Sequence, residues 1–328
     1  MTADRVILWI GALILTGALT GVYIPLMKRL KARQQILVYV TDHKKKAGTP
    51  TMGGVPFILV TAAIYFCFVR GSVLSTACVL IFLSYGAIGF LDDFIKIRLS
   101  RNEGLSPWQK IIFQTVVALS SSIFCYRMGT TFVYLPFTDR LVDLGLWFIP
   151  LSAFIFIAMT NCVNLTDGLD GLSASVSSVN LFSVAALIFL QTAKFPERYQ
   201  DGNGFLSMAA LAIILWGALS GFLIFNFPRA SVFMGDTGSL ALGGILAALM
   251  IFSGNALYVP IVGIMFVLSG ISVILQVIYY KRTGKRIFLM APLHHHFQMR
   301  GHAESKIVYL YTLVTLLGGL LSLLRYLP

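Results

Sequence analysis

Asn161-Cys162-Val163-Asn164-Leu165-Thr166-Asp167-Gly168-Leu169-Asp170-Gly171-Leu172 separates two long apolar runs, Leu144–Met159 and Leu172–Leu190. Asn161, Asn164, Asp167 and Asp170 recur at every third position. A helical backbone through this turn would line them up as one polar stripe. The chain is 57% hydrophobic and has only 13 acidic residues. Ionisable groups at the edge of apolar spans are costly and mark a site. Two other places have the same character, Leu91-Asp92-Asp93-Phe94 and Phe233-Met234-Gly235-Asp236-Thr237-Gly238.

Charged residues make up 12% of the chain, against about 25% in soluble domains. Apolar stretches near 20 residues recur along its whole length, so the expected fold is an all-α polytopic membrane protein, one integral membrane domain over residues 1–328. Ten transmembrane helices are predicted: Val6–Met27, Thr51–Val69, Val73–Leu91, Trp108–Cys125, Leu144–Val163, Leu172–Gln191, Leu206–Phe225, Ser239–Phe252, Leu257–Tyr280 and Ile307–Leu327. The first lacks a basic leader and a small-residue cleavage site and reads as a retained span. Ser239–Phe252 is short for a bilayer, and short spans flank binding sites at membrane depth. Leu257–Tyr280 is long and carries Pro260, Gly263 and Gly270, which predicts a bend or a split.

With ten spans both termini share one side. Sorted on that plan, 18 Lys and Arg fall on one side and 7 on the other. The excess marks the cytoplasmic side and makes both termini external. Lys46, Asp92, Asp93, the Asn161–Asp170 stretch, Asp236 and the His294 loop then all become cytoplasmic. Thr131–Leu141, on the external side, alternates and predicts a small hairpin. The net charge of +12 reads as topology-setting loop charge. Nucleic acid is excluded as a partner because no basic–aromatic interleaving is present. Cys67, Cys78, Cys125 and Cys162 lack metal or redox spacing and read as small buried hydrophobes.

Asp92, Asp93, Asp167, Asp170 and Asp236 come from three cytoplasmic span ends. One Asp alone would be a helix cap. Five carboxylates in one cleft repel one another, and an oxygen-only set suits Mg²⁺ with phosphate oxygens. Asp92 and Asp93, adjacent on a helix, point about 100° apart and have separate roles. Lys46 precedes a Gly/Thr/Pro run whose amides and hydroxyls suit a phosphate or sugar; it is not a Walker loop. His294, His295 and His296 point in different directions on any regular backbone, so one zinc site from all three is not expected. One or two of them as donors to a phosphate or sugar acid fit better. Phe233, three residues before Asp236, is placed to stack on a base or to pack in the core.

Six stretches in order now resemble a known family: Lys46–Gly54 (KAGTPTMGG), Gly89–Lys96 (GFLDDFIK), Asn161–Gly171, Asn226-Phe227-Pro228, Phe233–Ser239 (FMGDTGS) and Ala291–Phe297 (APLHHHF). The whole chain resembles the phospho-N-acetylmuramoyl-pentapeptide transferases. The aspartate motifs alone would indicate only the wider superfamily of polyprenyl-phosphate sugar-1-phosphate transferases. The resemblance implies transfer of phospho-MurNAc-pentapeptide from UDP-MurNAc-pentapeptide to undecaprenyl phosphate, giving lipid I and UMP with Mg²⁺. It implies catalytic roles for Asp92, Asp93, Asp236 and Lys46, with Asp236 and Asp93 as metal ligands. It places Asn164, Asp167, Asp170, Asn226 and Phe233 in the nucleoside pocket and Lys46, Thr51, Gln276 and His294–His296 around phosphates and sugar. It puts Lys96 and Lys110 where the family keeps basic residues, and counts these two and Asn161 among the substrate-binding residues. It further implies a homodimer in the bacterial plasma membrane. A related transferase using UDP-GlcNAc is the alternative, and an ion-coupled transporter the reading from another class.

Overall fold

The computed structural model describes residues 3–30, 48–69, 71–99, 103–138, 140–195 and 202–326. The described residues are mostly helical. In order come α1 (Ala3–Arg29), α2 (Gly54–Phe68), α3 (Val73–Arg98), α4 (Pro107–Arg127), a two-stranded hairpin, α5 (Phe148–Thr166), α6 (Leu172–Lys194), α7 (Gly202–Asn226) and α8 (Gly235–Phe252). Then follow α9 (Val259–Val262), α10 (Ile264–Thr283), α11 (Leu293–Met299) and α12 (Glu304–Leu323). The hairpin pairs β1 (Phe132–Tyr134) with β2 (Leu141–Asp143), antiparallel, with Val133 opposite Val142.

Each of the ten apolar stretches is helical. Among the described residues, eight helices are long and apolar enough to cross a membrane. The other two predicted spans correspond to α2, with 15 residues, and to α4, whose polar content is higher. At 1.5 Å per residue α2 is about 22 Å long, shorter than a typical hydrocarbon core.

Two expectations are refined. Leu257–Tyr280 is split at Gly263 into α9 and α10, with Pro260 in the first turn of α9. The span expected at Ser239–Phe252 begins a turn earlier, at Gly235, so Asp236 lies inside the helix. Gly235 makes this start feasible, because its φ of +74° is left-handed backbone that an L side chain rarely adopts.

Caps explain other boundaries. Ser72 and Ser75 form a reciprocal capping box at the start of α3, and Ser106 and Gln109 do the same for α4, with Pro107 in its first turn. The core centres on α8, which packs most extensively on α3 and α5, while α1 lies on α7 and α6 lies between α7 and α12. Every residue of α8 from Thr237 to Phe252 is buried.

Candidate active site

Asp92 and Asp93 sit near the C-terminal end of α3, and Asp236 sits in the first turn of α8. The two ends meet because Gly89 has no side chain: a Cβ there would overlap the Asp236 carbonyl. Asp93, one turn further along α3, then reaches the exposed amides of α8. Its carboxylate accepts from the Thr237 amide at 2.9 Å, the Thr237 hydroxyl at 2.7 Å and the Asp236 amide at 3.3 Å. Asp93 thus caps α8 from a neighbouring helix, satisfying amides that have no partner within α8.

Asp92 and Asp236 face a pair of lysines. Lys96 Nζ lies 2.5 Å from Asp92 and 3.0 Å from Asp236. Lys110 Nζ, brought by α4, lies 3.2 Å from Asp92 and 2.7 Å from Asp236. The Leu105 amide donates to Asp92 at 3.0 Å. Asn164 Nδ2, from α5, donates to Asp236 at 2.7 Å and to Ser239 at 2.9 Å. Lys110 therefore bridges two carboxylates and Lys96 three, with Asp93 at 3.8 Å, and the centre carries three acids against two ammonium groups. Buried charges of this kind are tolerable only when paired. One oxygen each from Asp92, Asp93 and Asp236 lies within 4.8 Å of the others, so the three together can hold a metal ion. The donors are all carboxylate oxygen, the set that suits a hard divalent cation.

The polar stripe does not run straight. Gly168 and Gly171 are poor helix formers, and α5 ends at Thr166 with Asp167 as its C-cap. Asn161 and Asn164 stay on α5, while Asp167 and Asp170 lie in the turn. Asp167 is near the carboxylate centre: burial, then repulsion from Asp236, Asp93 and Asp170, pushes its pKa well above the usual carboxylate range. Asp170 turns the other way and accepts from the Arg229 and Ala230 amides at 3.2 and 3.1 Å. Asn226 accepts from the Gly171 amide and donates to the Val232 carbonyl. These bonds tie the start of α6 to the end of α7. From there Phe233 pairs with the Thr51 segment: its amide donates to the Pro50 carbonyl and its carbonyl accepts from the Gly53 amide, both at 2.8 Å. Thr51 is buried in that pairing. Lys46 lies outside the described residues.

The three histidines lie on α11 and separate by environment. His296 Nδ1 accepts from the Leu289 amide at 3.1 Å, and His295 Nδ1 is 3.0 Å from Gln298 Oε1. His294 is fully buried, and neither ring nitrogen has a hydrogen-bond partner among the described residues. It packs against Gly168, where an added Cβ would overlap its Nε2, so the histidine helix abuts the Asp167 turn. Gln276 holds the preceding loop by accepting from the Ile287 and Phe288 amides and donating to the Phe288 carbonyl.

The sequence model of Glycosyl transferase family 4 matches residues 73–254, which include α3 through α8 and with them all three clustered carboxylates. The phospho-N-acetylmuramoyl-pentapeptide-transferase signature matches residues 46–58. A phospho-N-acetylmuramoyl-pentapeptide-transferase of a Thermoanaerobacter species is 41% identical over 312 residues, 95% of each chain. Proteins of the same name from Desulfitobacterium hafniense and Halalkalibacterium halodurans are 42% and 39% identical, over 96% and 98% of this chain and 95% and 97% of theirs. This chain belongs to the phospho-N-acetylmuramoyl-pentapeptide-transferase family.

In this member of the phospho-N-acetylmuramoyl-pentapeptide-transferase family, sequence reasoning missed Thr237, Ser239 and the Leu105 amide. Thr and Ser in a Gly-rich helix start carry too common a signal to be singled out, and a backbone amide carries none. The buried His294 gives a pH expectation. Burial, reinforced by His295, holds its pKa well below the ordinary 6.5. As pH falls below that value the unfolded chain takes up a proton that the folded chain refuses, so stability falls with acidification. The melting temperature of the wild type is therefore expected to drop between pH 7.5 and 5.5 more than that of His294→Gln. Equal drops would contradict the assignment.

Proposed function

We propose that this protein transfers phospho-MurNAc-pentapeptide from UDP-MurNAc-pentapeptide to undecaprenyl phosphate, forming lipid I and releasing UMP, with Mg²⁺. The observation that carries this reading is the convergence of Asp92, Asp93 and Asp236 with Lys96 and Lys110 in a chain of that family. In the reaction, an acceptor phosphate oxygen forms a bond to the sugar-bearing phosphorus, and the bond from that phosphorus to UMP breaks. A phosphate monoester has its second pKa near ~6, so the acceptor is already mostly dianionic at neutral pH. The barrier is repulsion between phosphates rather than a missing base.

Lys96 and Lys110 can turn from the carboxylates toward incoming phosphate oxygens and neutralise them. Asp236 and Asp93 would hold Mg²⁺, which when bound supplies further neutralisation of the pyrophosphate. Asp92, held by two ammonium groups and the Leu105 amide, is a weak nucleophile. It orients the acceptor, and attack by the lipid phosphate is direct. Asn164, Asp167 and Phe233 face the nucleoside, with Asp170 and Asn226 fixing the turns beside it. Lys46, Thr51, Gln276 and His294–His296 surround phosphates and sugar. The ten-span plan with external termini puts this end of the bundle at the cytoplasmic face of a bacterial plasma membrane, and the active species is a homodimer.

The test is UMP release by the full chain in detergent with undecaprenyl phosphate. Release is expected with UDP-MurNAc-pentapeptide, not with UDP-GlcNAc, and is expected to stop on chelation and return with Mg²⁺. Release from UDP-GlcNAc alone would move the protein to a related transferase. Membrane flux without UMP would exclude transfer.

A further inference from the structure

One helical turn inward from the carboxylates lies a second polar tier that the reaction does not use. Gln114 on α4 is fully buried in the run Ile111-Ile112-Phe113-Gln114-Thr115-Val116. It follows Lys110 by four positions, so it stands on the same helix face about 6 Å deeper. Asn161 precedes Asn164 by three positions on α5, about 4.5 Å deeper on that face. Asn161 Nδ2 donates to Gln114 Oε1 at 2.7 Å and to the Ile157 carbonyl of its own helix at 2.8 Å. From α3, the buried Tyr85 hydroxyl donates to the backbone carbonyl of Gln114 at 3.2 Å. Gln114 Nε2 has no hydrogen-bond partner among the described residues. Burying such a donor is unfavourable, and an apolar side chain of the same length would avoid that cost.

We propose that Gln114 is a positioning residue. Its hydrogen bond to Asn161 locks α4 and α5 at the register in which Lys110 and Asn164 meet on Asp236, each at 2.7 Å. Apolar packing along the rest of the α4–α5 contact is non-directional and leaves axial sliding soft. The amide pair supplies the direction. A slide of about 1 Å would separate Lys110 from Asp236 and cost up to about 100-fold in rate. Asn161, on this reading, acts through α4 rather than on substrate.

The proposal rests on Asp236 as the reacting centre, and the test separates the two. Gln114→Met and Gln114→Leu are made in the full chain, with turnover normalised to protein that elutes as folded by size exclusion. Each is expected to lower kcat about tenfold while KM for UDP-MurNAc-pentapeptide moves by less than about twofold. Asn161→Leu is expected to match them, and the double variant to be no worse than either single one. The exchanged pair, Gln114→Asn with Asn161→Gln, is expected to recover most of the loss. Unchanged kcat per folded molecule, losses that multiply, or a raised KM at unchanged kcat would overturn the proposal. An unsubstituted protein that releases no UMP would instead refute the transfer reading.

Discussion

Asp236→Asn is expected to abolish turnover, by about 10³-fold or more, while the protein remains folded. The carboxylate is the meeting point of three helices. It accepts from Lys96 at 3.0 Å, Lys110 at 2.7 Å and Asn164 at 2.7 Å. Asparagine keeps the volume but offers one acceptor where three donors converge, and its own amide must face another donor. It also removes the charge through which a cation would be held. Lys96 and Lys110 keep Asp92 as a partner, and Asp93 still caps α8 through Thr237, so the fold has its supports. UMP release across a Mg²⁺ titration, with size-exclusion elution and a melting curve, checks this. Activity that returns at saturating Mg²⁺ would rule out the ligand assignment.

Gly89→Ala is expected to combine a large catalytic loss with a loss of stability. The added Cβ would overlap the Asp236 carbonyl and lie 2.6 Å from the Thr237 amide nitrogen. Both are backbone atoms in the first turn of α8, with no rotamer by which to yield. Helices α3 and α8 must separate, and with them go the Asp93–Thr237 cap and the placement of Asp236 between the lysines. Overpacking of this kind costs about 1–3 kcal/mol, and a misplacement of about 1 Å costs on the order of 100-fold in rate. Gly11 on α1 has open space around its Cβ position, so Gly11→Ala serves as the control and is expected to be silent. Melting temperature and kcat for the two variants decide it; wild-type kcat in Gly89→Ala would show that the α3–α8 contact is softer than the structure indicates.

Much of this was legible in the sequence because membrane physics simplifies the code. Apolar length located all ten helical stretches, and Pro260 with Gly263 foretold the split between α9 and α10. The rarity of acids in such a chain made Asp92, Asp93 and Asp236 conspicuous. The helical start at Gly235 was not legible, because it depends on a left-handed glycine and on a cap supplied by Asp93 from another helix. Nor was the turn of Asp170 away from Asp236. A three-residue spacing cannot reveal that the helix carrying it stops at Thr166. Helix α11 is not legible in the sequence, because seven residues anchored through the Leu293 amide to Ser272 and through His296 to the Leu289 amide show no periodicity of their own. Gln114 left a visible trace, a lone amide within an apolar run, but its meaning depends on Asn161 lying opposite.

The helix that carries Asp236 is encased by its neighbours, with every residue from Thr237 to Phe252 buried. Thickness changes in the bilayer act on what lipid touches, so they press on α1, α4 and α10 and reach α8 only second-hand. Asp236 rides on a shielded axle, whereas Lys110 reaches it from α4, one of the helices that lipid presses on, so a change in the bilayer would shift the lysine against the acid before it moved the acid itself.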